Sequence, residues 1–311
     1  MMTKFKADVS LLLITIVWGS SFVLVKNVLE FIPSFAYISV RFILAGAVLV
    51  ILFHKRLGSM SRKTVLYGFI LSLMLFGGVA LQIVGLYYTT ASNSAFITGL
   101  SVVMVPVISV LALRKKPGIN SVIGVILAFT GLFFLSGGLN FKFNIGDFLT
   151  LLCAICFALQ IILLDKFTGD QDPMLLSILQ ISFTGVYSTV IWIATGFKPF
   201  TINTDVILTL FITGVLGSAV AYSVQAVVQK HTTPTHAALI MTAEPVFGAI
   251  FALIIPDAQG NVEALNMNEI AGCVLILLGM LISEAKISNV MLKREANVRE
   301  IIPASNVKVR E

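Results

Sequence analysis

The sequence predicts an all-α integral membrane protein with ten transmembrane helices arranged as two inverted five-helix repeats. Three observations carry this. Hydrophobic residues make up 58% of the 311 and charged residues only 12%, too few charges to coat a water-soluble globule of that size. The apolar residues fall into ten runs of bilayer-spanning length. The last five runs repeat marks of the first five.

In hydrocarbon every backbone amide must be satisfied inside its own segment, so an apolar run of about 17–25 residues is read as a helix. The runs cover 8–27, 34–53, 64–86, 91–113, 119–137, 147–165, 173–195, 204–227, 235–255 and 268–286. Lys4 and Lys6 before the first run suggest a secretory signal, but the run is too long. Trp18, Phe22 and Lys26 also stand where a small-residue cleavage site belongs. Cys153, Cys156 and Cys273 fall within runs without His or acidic partners, so they read as buried apolar residues, with no metal or disulfide expected.

Orientation follows from the loops. With the N-terminus in the cytoplasm, 17 of the 21 Lys and Arg lie inside, Lys26, Lys142 and Lys198 lie outside, and Arg41 lies within a span. Both termini are therefore expected in the cytoplasm and the chain in the cell (plasma or inner) membrane, with 287–311 as a basic cytoplasmic tail. The net charge of +6 then reports orientation and no nucleic-acid partner.

A shift of 139 residues lays Asp8 on Asp147, Trp18 on Phe157, Ser94 on Thr233 and Pro106 on Pro245. A shift of 148 in the last span of each half lays Gly124 on Gly272 and Gly131 on Gly279, the extra residues falling in the loop between Pro256 and Asn268. The units are expected at 8–137 and 147–286. Because five is odd, the second unit enters the membrane from the opposite side, giving an inverted repeat that suits alternating access.

Trp18-Gly-Ser-Ser-Phe22 followed by Lys26, Arg41-Phe42, Glu244-Pro245, and the Gly-x6-Gly pairs of spans five and ten resemble the EamA-type transporters of the drug/metabolite transporter superfamily. The resemblance covers residues 8–286. It implies a ten-helix inverted-repeat transporter in which the first four helices of each half surround a central cavity and the fifth and tenth lie outside it. Members move amino acids, other metabolites, drugs or nucleotide conjugates, and many bacterial ones export. Branches that carry phosphorylated sugars place several Lys or Arg in the cavity, which this sequence lacks.

Candidate substrate-binding residues are Trp18, Ser21, Arg41, Gln82, Gln160, Tyr222 and Glu244. A carboxylate in mid-span costs about 2.5–3.5 kcal/mol on insertion scales, so Glu244 should face a cavity or a partner. It either binds a substrate amine or a coupling proton, or hydrogen-bonds to backbone freed by Pro245. Arg41 lies roughly 10 Å deep at 1.5 Å per residue; it either pairs structurally, snorkels, or binds a carboxylate. If both face one cavity they suit a zwitterion. Trp18, Phe22 and Lys26 share a helix face; Trp18 is either a substrate platform or packed core, and Lys26 a snorkelling interface residue. Gln82, Gln160, Gln180, Tyr222 and Gln225 are interhelical hydrogen-bond partners or ligands, and Asn93, Thr98 and His236 stand near possible gates. Pro106 and Pro245 are expected helix bends and rocking points.

Nucleotide-binding motifs are absent, and His54, His231 and His236 form no catalytic set, so neither an ATP-driven pump nor an enzyme is expected. The reading is a secondary active transporter, an exporter of a small metabolite such as an amino acid. It needs no cofactor, uses lipid and small-molecule substrate as its partners, allows proton coupling, and is able to function as a monomer with its oligomeric state open. The alternative is a channel or a non-transporting scaffold.

Overall fold

Short polar side chains punctuate the apolar runs and set where helices begin, because the first amides of a helix have no partner within it. Ser61 and Thr64 form a reciprocal capping box at the start of one helix, and Asn144 and Asp147 another. Asp172 and Thr233 cap helices that open on Pro173 and Pro234, where a missing amide costs nothing. Near the proposed gates, Thr90 and Thr233 are the caps, each accepting from the amide three residues on, Asn93 and His236.

The computed structural model describes residues 4–114, 117–135, 144–256, 260–262 and 264–284. The tail at 287–311 and the span ends at 136–137 and 285–286 lie outside the described residues. The helices are α1 (Lys4–Val28), α2 (Ser34–Leu57), α3 (Arg62–Gly85), α4 (Ala91–Gly99), α5 (Ser101–Leu113), α6 (Ile119–Leu135) and α7 (Ile145–Phe167). There follow α8 (Pro173–Ala194), α9 (Thr204–Phe211), a π-helical stretch (Ile212–Val220), α10 (Ala221–Gln229), α11 (Pro234–Met241), α12 (Glu244–Ala252) and α13 (Met267–Glu284). Taken across their breaks, eight helices are long and apolar enough to cross a membrane, and α6 and α13 are shorter apolar helices. No strand occurs among the described residues.

Three spans expected as continuous are broken, each for a physical reason. Pro245 has no amide to give the carbonyl four residues before it; Thr242 and Ala243 form a turn, and α12 restarts at Glu244 with Pro245 in its first turn. The matching break in the first half falls at Leu100, a turn or more before Pro106, which stays inside α5. The third break is the π stretch between α9 and α10, whose wider ladder leaves a carbonyl and a side-chain position out of the α-helical register.

In the bundle, α2 packs on α8, α3 on α7 and α8, and α1 on α12, α10 and the π stretch. Helices α6 and α13 pair with each other at the side through close backbone approach. A Cβ on Gly131 would stand 2.5 Å from the Gly272 carbonyl oxygen, and one on Gly124 2.6 Å from that of Gly279. Two faces are cross-linked by polar contacts. At the face where α1 begins, here the Lys4 face, Arg56 pairs with Asp172 at 2.9 Å, Lys63 with Asp170, and His236 with Asp8 at 3.1 Å. At the far face, Thr89 donates to Asp147 at 2.6 Å and Asn27 to the Pro256 carbonyl at 2.8 Å.

Candidate functional site

The break before Pro245 opens onto a cavity within the bundle, lined there by Met241, Thr242, Glu244 and Pro245. Trp18 and Ser21 on α1, Arg41 on α2, Gln82 on α3 and Gln160 on α7 line it. Tyr222 on α10 and Glu244 at the start of α12 complete the set. All seven candidates are thus brought to the lining of one small cavity of about 70 Å³.

The π stretch holds the two largest side chains of one wall. Its Gly217 carbonyl accepts the Trp18 indole N–H at 2.8 Å, and its Ser218 hydroxyl accepts the Arg41 Nε–H at 2.8 Å while donating to the Thr213 carbonyl at 2.9 Å. Gly214 and Gly217 leave room for the Arg41 backbone and guanidinium. Arg41 is 5% exposed, and its guanidinium carbon lies 5.3 Å from the Phe42 ring centroid. Trp18 and Tyr222 pack with ring centroids 5.2 Å apart, forming an aromatic wall, and Phe157 also lines the cavity.

Arg41 and Glu244 face the same cavity, and no ion pair joins them among the described residues. Among the described residues, no hydrogen bond joins the Glu244 side chain to the backbone around Pro245, and its carboxylate lines the cavity. Gln82 donates to the Thr98 hydroxyl at 3.1 Å. From the cavity lining outward, Gln225 Nε2 donates to Gln160 Oε1 at 3.3 Å, and Gln160 Nε2 to Gln180 Oε1 at 3.1 Å. Both ends of this relay, Gln225 Oε1 and Gln180 Nε2, are buried with no partner, each at a cost of about 1–3 kcal/mol for an unsatisfied group.

Other candidates lie elsewhere. Pro106 sits on an apolar groove between α5 and α6. Lys26 Nζ reaches the Thr89 carbonyl at 3.5 Å near the far face. His236, between Asp8 and the Ser283 hydroxyl, belongs to the Lys4 face. Sequence reasoning did not single out Phe157, Thr242 or Ser218 for the site. The signal for Phe157 was available, since the repeat shift places it on Trp18.

Membrane-length apolar helices around a buried cavity with polar and aromatic walls define a multi-pass membrane transporter. The chain belongs to the EamA-like transporter family, whose profile matches residues 5–137 and again 144–284. An uncharacterized transporter of Archaeoglobus fulgidus is 36% identical over 90% of this chain and 86% of its own length. The uncharacterized transporter YyaM of Bacillus subtilis is 26% identical over 88% and 92%. A solved crystal structure superposes with a TM-score of 0.73 over 90% of this chain and 98% of its own, at 15% identity, a likeness of fold alone.

Proposed function

We propose that this transporter is a secondary active exporter of a small amphipathic metabolite, an amino acid or close relative. It works by alternating access of two inverted five-helix repeats, 8–137 and 147–286, around the central cavity. The observation that carries the substrate reading is the cavity lining: a guanidinium and a carboxylate not paired with each other, beside an aromatic wall. A zwitterion with an apolar side chain satisfies all three at once, its carboxylate at Arg41 and its ammonium at Glu244.

The repeat reading is supported by the double match of the family profile, by the pairings of α2 with α8 and α6 with α13, which map onto themselves under the shift, and by the Gly124–Gly279 and Gly131–Gly272 contacts, which map onto each other. Asp8 and Asp147, equivalent under the shift, tie opposite faces. The distribution of Lys and Arg supports cytoplasmic termini at the Lys4 face and a place in the cell membrane. Glu244 is the proton-coupling group, and a monomer, with the lipid around it, is sufficient.

The test is transport by the purified protein in liposomes, across the proteinogenic amino acids and related metabolites, with and without a pH gradient. Uphill movement driven by the gradient is expected for at least one amino acid, and Glu244→Gln should abolish its dependence on the gradient. Equal rate and pH dependence in E244Q would remove Glu244 from coupling. Movement that only ever runs downhill would favour a channel.

A further inference from the structure

Two adjoining hollows lie on the Lys4 side of the bundle and, among the described residues, share no lining with the central cavity. The first, about 510 Å³, lies among the start of α6, the link from α10 to α11 and the end of α13. Lys230, His231 and His236 line it together with the hydroxyl-bearing Ser109, Ser121 and Thr235. Among the described residues its lining holds no Asp or Glu. His236 is already matched by Asp8 at 3.1 Å, whereas Lys230 and His231 are exposed and enter no ion pair among the described residues. Helices α6 and α11 both begin in this lining, and the partial positive charge of a helix start adds to that of Lys230. The second hollow is the apolar groove of about 260 Å³ on which Pro106 sits. Val103, Val107 and Val110 of α5 and Val122, Val125 and Ile126 of α6 line it. Val107 and Ile126 are 55% and 59% exposed, so the groove opens on the outside of the bundle, where the medium is hydrocarbon. Between Val110 and Val103 it spans about 10 Å of α5 at 1.5 Å per residue. Pro117, Ser121 and Thr235 belong to both hollows, so the groove begins where the polar pocket ends.

We propose that the two hollows form one binding site for an anionic phospholipid of the leaflet at the Lys4 face: its phosphate occupies the polar pocket with Lys230 and His231, and an acyl chain follows the groove between α5 and α6. A cationic, hydroxyl-rich head joined to an apolar slot complements a lipid; a free anion has no use for the slot, and a neutral headgroup gains little from Lys230. Basic pockets between transmembrane helices hold anionic headgroups on the cytoplasmic side, the side to which the Lys and Arg count assigns this face. Gly118 and Ser121 come from the first half of the chain and Lys230, Thr235 and Ser283 from the second, so a bound lipid bridges the halves and stabilises the folded chain. The site is separate from the substrate reading of the central cavity, and either stands if the other fails.

The experiment uses the purified full chain in detergent. Thermal shift is recorded against phosphatidylglycerol and phosphatidylcholine carrying the same acyl chains, with inorganic phosphate alone as the third probe. Phosphatidylglycerol is expected to stabilise the wild type at several-fold lower concentration than phosphatidylcholine, a preference that weakens with added salt. Lys230→Gln should lose about fivefold of that preference, the worth of one basic residue near an anionic surface. Lys55→Gln removes an exposed lysine of the same face outside the pocket and should leave the preference unchanged. Val107→Trp fills the groove from an exposed position and should weaken both lipids alike. If K230Q fails to fold, Gly118→Asp takes its place: a Cβ there meets nothing within 4 Å, and the added carboxylate should abolish the preference. Equal stabilisation by the two lipids, or an equal loss in K55Q and K230Q, overturns the site in favour of diffuse surface charge. Full stabilisation by phosphate alone overturns the lipid as its occupant, and wild-type lipid response in V107W overturns the acyl slot.

Discussion

Replacing Trp18 by Phe tests whether the π stretch and the aromatic wall are one unit. The substitution keeps a ring against Tyr222, now 5.2 Å away between centroids, but removes the N–H that the Gly217 carbonyl accepts at 2.8 Å. That carbonyl sits in a buried stretch of irregular ladder, with Trp18 itself only 7% exposed, so water does not replace the lost donor. The cost is about 1–3 kcal/mol for the orphaned acceptor. Loss of the larger ring's contacts adds to it, toward the lower end of the range for aromatic truncation. The melting temperature in detergent should fall by several degrees, read with a thiol-reactive dye on Cys153, which is buried in the folded protein. Trp192 is the control: half-buried and stacked on Phe197 with ring centroids 4.4 Å apart, its indole donates to the Lys198 carbonyl at 3.2 Å where water can replace it, so Trp192→Phe should cost less than Trp18→Phe. Because the chain has two tryptophans, W192F also leaves Trp18 as the sole indole, so its emission should shift when a ligand enters the cavity. If W18F melts with the wild type, Gly217 does not depend on the indole and the account of the π stretch is wrong.

Two further outcomes concern packing at the periphery. Gly131→Val should destabilise the chain by about 1–3 kcal/mol or more from overpacking, because its side chain meets the Gly272 carbonyl oxygen and the Ile276 amide, both backbone atoms that cannot rotate away; a wild-type melting curve would remove the close α6–α13 contact. Asp147→Ala should cost about 2–4 kcal/mol, since Asp147 accepts from the Thr89 hydroxyl at 2.6 Å and the Asn144 amide at 2.9 Å. Thr89→Val should recover only the Thr89 part of that loss, read as non-additivity in the double variant.

The ten apolar runs were legible because hydrocarbon leaves a chain no other way to satisfy its amides. Pro245 announced its break, since proline removes a bond at a known position. Pro106, at the equivalent place, did not: the helix parts at Leu100, where Gly99 and Ser101 offer low helix propensity, and closes again before the proline. The π stretch was invisible because Gly214, Gly217 and Ser218 read equally well as close-packing residues of an ordinary helix, and one extra residue per turn leaves no periodic trace. Residue depth could be counted along each span, so Arg41, Gln160 and Glu244 were expected within the spans rather than at their ends. Their convergence could not be known, because it depends on how each helix is rotated about its axis, and that rotation is set by partners such as Ser218 for Arg41 and Gln180 for Gln160.

The shift of 139 residues that aligns the halves also exposes where they differ. Trp18 stands on Phe157, Ser21 on Gln160, Arg41 on Gln180, and Glu244 on Val105. Helix pairing is near-symmetric while the cavity lining is not: the guanidinium comes from the first half, and the carboxylate and the glutamine relay from the second. In the proposed cycle these two properties answer different demands. Symmetric packing gives two conformations of similar energy, so that modest binding energy is enough to exchange them. An asymmetric lining gives the substrate one orientation, carboxylate toward the first half and amine toward the second, retained whichever face is open. A cavity with symmetric chemistry would hold a zwitterion equally well in two opposed poses, and half of the bound molecules would present the wrong end to Glu244.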